Sequence, residues 1–173
     1  MADHLNVIER KLIDNLRDGT FNTTAGIGSG SAWDTTDVTV FGQFPSTDRI
    51  KYPCIITEMI SNGIQEQFMG QDITYGSSDT AAIGELYGVG FRIHIAVDRD
   101  SSITVSGAPY KERRLLNYLM LNCANVLMDT EFDAATTEVT QRIFSGFQDV
   151  GYNSEMEIWA SVATMIIVFK NNR

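Results

Sequence analysis

A chain of 173 residues is long enough to form one domain that removes about 70% of its unfolded surface from water. Its composition, 43% apolar and 20% charged, excludes an intrinsically disordered protein. Thirteen basic against twenty-two acidic residues leave a net charge of −9, which argues against unaided binding to nucleic acid or to an anionic membrane, because both polyanions require clusters of Lys and Arg.

From the N-terminus, Leu5, Ile8, Leu12 and Leu16, with Ile13 beside them, recur at three and four and predict an amphipathic helix over 3–17. Asp3 serves as N-cap and Asp18-Gly19 as stop. Residues 19–37 read as a Gly-, Ser- and Thr-rich loop, in which Phe21 and Trp33 are expected to tuck back onto their own domain. A short strand follows over 38–41, then a turn-rich connection containing Pro45. The β-branched run 54–60, the dipeptide Asn62-Gly63 and the run 64–69 predict a hairpin with a type I′ turn. Residues 70–85 are small, polar and punctuated by glycine, and read as an arm or loop.

Tyr87, Val89, Phe91, Ile93, Ile95 and Val97 then alternate with Gly88, Gly90, Arg92, His94 and Ala96. That period of two predicts a long strand over 86–97 with one apolar face. Asp98 to Ser102 close it, and Pro109 is placed to open a helix over 110–127. Leu115, Leu116, Leu119, Met120, Cys123, Val126 and Leu127 form its apolar stripe. Residues 138–148 and 156–169 read as two strands joined around Gly151-Tyr152-Asn153, the second apolar on both faces and so placed inside a sheet. The expectation is one α+β domain over 1–173: a mostly antiparallel twisted sheet with a long amphipathic helix and an N-terminal helix packed on it, and extended loops at 19–37 and 70–85.

No catalytic constellation stands out. His4 is terminal, and His94 lies on the polar face of the long strand near Arg92. The acid pairs Asp98 with Asp100 and Glu155 with Glu157 border turns, where solvated carboxylates are routine. Cys54 and Cys123 each lie in an apolar run and read as buried thiols; without a supporting histidine they do not complete a zinc site. The run from Gly26 to Ser31 invites a phosphate-loop reading, but no strand precedes it and no Gly-Lys-Ser/Thr ends it. Met1-Ala2-Asp3-His4 lacks the start of a signal peptide, and no apolar run reaches the ~20 residues of a membrane span, so synthesis in a reducing cytoplasm is expected. The expectation is a non-enzymatic domain, without cofactor or metal, built to touch other proteins. The rival from another class is a small ligand-binding domain or enzyme using Asp98, Asp100 and His94 at a sheet edge.

The order of elements, the strand entry Tyr52-Pro53-Cys54-Ile55-Ile56 and the helix start Tyr110-Lys111-Glu112-Arg113-Arg114-Leu115-Leu116 carry a family resemblance. The chain resembles the tail terminator (tail completion) proteins of long-tailed viruses of bacteria and archaea, and the neighbouring minor neck proteins. The likeness in layout spans nearly the whole chain; the match at the level of residues is confined to Tyr52–Ile56. It implies a homo-oligomeric ring, a hexamer, in the tail or neck of a virion assembled in the host cytoplasm. Such a ring caps the tail tube and joins it to the head connector or adaptor, with DNA only as passing cargo in its lumen. A head–tail adaptor or stopper is the alternative within that group. Phe68, Met69 and Tyr75 are the expected apolar anchors of the subunit contact, with Arg113 and Arg114 available to pair with a neighbour's acids.

Overall fold

The computed structural model describes residues 4–18, 38–46, 49–60, 65–66, 73–75, 82–105, 107–129 and 138–172. Two long strands form its spine. β5 (Ala82–Asp98) and β10 (Ile158–Asn172) pair antiparallel from Gly84 opposite Asn172 to Asp98 opposite Ile158. Along the outer side of β5 run β2 (Cys54–Met59), β3 (Gln65–Glu66) and β4 (Ile73–Tyr75), each antiparallel to it. β1 (Thr39–Phe41) lies parallel to β2. On the far side of β10, β8 (Glu138–Phe144) pairs with its second half and β9 (Gln148–Asn153) with its first. The spatial order is therefore β1-β2-β5-β10-β8, with β9 beside β10 as well. A separate two-stranded ribbon joins β6 (Ser102–Val105) to β7 (Ala108–Lys111). The fold is α+β, as expected.

Alternation explains the spine. Val89, Phe91, Ile93, Ile95 and Val97 are all fully buried, while Arg92 between them is exposed. Met165, Ile167 and Phe169 of β10 stand opposite Phe91, Val89 and Tyr87 and share that buried face. β10 is an inner strand with neighbours on both sides, which is why its sequence is apolar in both phases.

Both helices cover the same face. α2 (Glu112–Asp129) lays Leu115, Leu119, Cys123 and Val126 on β5 and β10, all of them fully buried. α1 (His4–Asp18) packs on α2 and β1 through Ile8, Leu12 and Leu16. These side chains and the inner face of the sheet make one continuous core. Cys54 and Cys123 are free thiols buried within the structure.

Several local readings change. β2 and β3 do not pair with each other; both run antiparallel to β5, one after the other, and so form no hairpin together. The long apolar ladder of β5 offers more pairing than the two residues of β3 could. Asn62-Gly63 lie outside the described residues, as do 19–37 with Phe21 and Trp33. The predicted arm is strand at 73–75 and from Ala82 onward, where β4 folds back on β5.

Pro109 does not open the helix. It sits in β7 opposite Thr104, in a two-stranded ribbon where a missing N–H is tolerated. The helix begins at Glu112, which takes left-handed backbone (φ 52°) as the chain turns out of β7. The segment 138–148 is two strands divided at Ser145-Gly146-Phe147, with Gly146 at φ 75°. Ser145 keeps the break tied to β10, its N–H donating to the Thr164 carbonyl and its Oγ accepting from the Thr164 N–H. Gly151-Tyr152-Asn153 belong to β9, and the reversal falls at 154–157. There Asn153 Oδ1 accepts from the N–H groups of Glu155 and Met156, a turn its side chain builds locally.

Candidate functional site

Among the described residues neither helix lies on the second face of the sheet, and the strand register sets what does. Phe41 is beside Ile56, Ile56 opposite His94, His94 opposite Val162, and Val162 opposite Gln148. Partners directly across a ladder point to one face, so these five form a single row across the sheet. The neighbouring row, Val40, Ile55, Ile95 and Ser161, faces the helices.

Glu58 and Arg92 are direct partners one step along from His94 on that second face. Glu58 Oε2 lies 3.8 Å from Nη1 of Arg92 and 3.6 Å from Nε2 of His94. The Phe44 ring meets the imidazole edge-on, with centroids 4.8 Å apart. Among the described residues, Nε2 of His94 is buried without a hydrogen-bond partner. Burial pushes the imidazole below its ordinary range; Glu58 opposes that shift and Arg92 adds to it. At neutral pH the centre of this face is thus a neutral histidine flanked by one ion pair.

That arrangement differs from the enzyme-like grouping of Asp98, Asp100 and His94. His94 is in the interior of the sheet, not at its edge. Asp98 stands four residues farther along β5, about 13 Å away at ordinary strand rise. Its Oδ1 accepts from both the N–H and the hydroxyl of Ser101, which makes it the brace of the β5–β6 turn. Asp100 is exposed in that turn. Among the described residues, no three His, Cys, Asp or Glu side chains are grouped to hold a metal ion. Burial, with Asp98 nearby, pushes the Cys54 thiol up to about 12, and burial alone raises that of Cys123. Neither is poised as a thiolate at neutral pH.

The other notable surface is the β9 edge. Val150, the extra residue at a bulge, is 66% exposed, and Met156 in the following turn is 62% exposed. Tyr152 is exposed beside them, its ring 4.5 Å from that of Trp159. Arg113 at the start of α2 reaches Asp149 of β9 at 2.7 Å, and Arg99 reaches Glu157 at 3.1 Å. Arg114 lies over the Tyr110 ring at 4.0 Å. Both arginines assigned to a neighbour's acids therefore have contacts within their own chain. Phe68 and Met69 lie outside the described residues; Tyr75 is in β4, its backbone paired with Ala82.

Glu58, Phe44, Val150 and Met156 carry this geometry and were not singled out from sequence. Glu58 had a signal, as the one charge in the apolar run of β2, but its partners depend on a register that only the folded sheet displays. No known protein-family model matches this chain, and a search of curated proteins matched nothing.

Proposed function

We propose that this protein is a structural virion component of the tail-terminator kind that its strand entry and leucine-rich helix resemble. It assembles as a ring of identical copies, six by that resemblance, that ends the tail tube and joins it to the head connector. It works by contact and without turnover, and DNA passes through its lumen as cargo. The observation that supports this reading is the β9 edge: Val150 and Tyr152 on a strand with no outer neighbour among the described residues, and Met156 in the turn after it, are exposed. Exposed apolar groups beside unsatisfied strand hydrogen-bonding groups favour association with another chain. The net charge of −9 suits a ring through which a polyanion slides without sticking.

The test is tube growth. Tubes assembled from the cognate tail tube protein should stop elongating, with density added at one end in electron micrographs, once this protein is supplied. Unchanged tube lengths and bare ends would reject the role. Density on the head connector alone would favour an adaptor or stopper instead.

A further inference from the structure

We propose that the β1 edge of one copy docks against the β9 edge of a second copy of this chain, continuing the sheet from subunit to subunit. The inference rests on the ring reading and names the contact that makes the ring. Three observations carry it.

The first is level. The row from Phe41 to Gln148 crosses the whole sheet, so β1 and β9 stand at the same height on opposite flanks. Among the described residues, neither has a strand on its outer side. The second is direction. β1 is parallel to β2, β2 is antiparallel to β5, β5 to β10 and β10 to β9, which leaves β1 and β9 antiparallel. A second copy set alongside in the same orientation therefore brings its β1 to β9 as an antiparallel neighbour. That is a heterologous contact, the type that generates rings.

The third is charge. Arg49 and Lys51 are exposed just ahead of β2. The stretch 148–157 holds Asp149, Glu155 and Glu157 and no basic residue. Glu155 has no ion pair among the described residues, whereas Asp149 and Glu157 are held by Arg113 and Arg99. Cys54 is level with Ala96, and Ile158 with Asp98, so Lys51 and the 154–157 turn occupy the same end of the sheet. Docking β1 on β9 brings the basic end of one copy to the acidic end of the next, and covers Val150.

Disulfide trapping tests the contact. Gln148→Cys is combined with Phe41→Cys in one full-length chain; in a second, in case the loss of Phe41 impairs folding, Thr39→Cys is combined with Val150→Cys, next to Gly151 at the level of Thr39. Within a chain the two edges are four ladder steps apart, about 19 Å, far beyond the ~7 Å limit for bridging Cα atoms. Any bond must form between copies, and mild oxidation should give a ladder of covalent oligomers. Glu155→Lys should cut cross-linking severalfold, and adding Lys51→Glu should restore it. Oligomers seen by light scattering that neither cross-link nor respond to the charge changes would overturn this contact and leave the ring reading standing. Monomers throughout would overturn both.

Discussion

Nε2 of His94 and Oε2 of Glu58 stand 3.6 Å apart on adjacent strands, under the edge of the Phe44 ring. The carboxylate favours a charged imidazole, yet burial outweighs it and Arg92 works in the same direction as burial, so the folded state holds His94 below 6.5.

The sign of the resulting pH dependence follows from linkage. Between the lowered folded value and the ordinary 6.5, the unfolded chain binds more protons at this site. The contribution is complete above 6.5, is lost as pH falls below it, and levels off below the folded value. His94→Gln removes that term. The stability advantage of the native chain over the variant, from urea midpoints between about pH 7.5 and 5, should shrink toward acid. An advantage that grew toward acid would mean that Glu58 dominates.

Leu119 is fully buried between α2 and the sheet, so Leu119→Ala should cost about 2–5 kcal/mol in chemical denaturation. A loss below about 0.5 kcal/mol, the scale of surface substitutions, would remove this stripe from the core.

The Arg113–Asp149 pair is short, but both side chains are substantially exposed. Such pairs contribute about 0–1 kcal/mol. Arg113→Ala should shift the denaturation midpoint only slightly and change oligomer dissociation more if Arg113 also serves a neighbour. A large loss of monomer stability, with unaltered assembly, would assign it to the fold alone.

Met69→Asp with Tyr75→Asp replaces two of the apolar anchors expected of the subunit contact by charges. The variant should keep the native circular dichroism spectrum and lose assembly. Normal assembly would place the subunit contact away from this arm.

Much of the framework is legible in the sequence. Strict alternation from Val89 to Val97 has one geometric solution, and the double-faced apolarity of 158–169 placed β10 inside the sheet. The stripe of α2 was equally plain, since burial on one face is written in the 3.6 period. What failed was local punctuation judged without its neighbours. Asn62-Gly63 suited a hairpin turn, but β5 captured the strands on both sides of it. Pro109 suited a helix start, but it fits the β6–β7 ribbon, and the reversal came at Glu112. The site was less legible because it is made by register. Glu58 meets His94 only because Glu58 pairs with Arg92, and β1 levels with β9 only through four successive ladders.

The central claim is self-association into a ring, and the mass of the purified full-length protein tests it most directly. Native mass spectrometry across a range of micromolar concentrations should give one dominant closed species, six times the chain mass of 19.2 kDa by the resemblance to tail terminators. A monomer mass at every concentration would contradict the account.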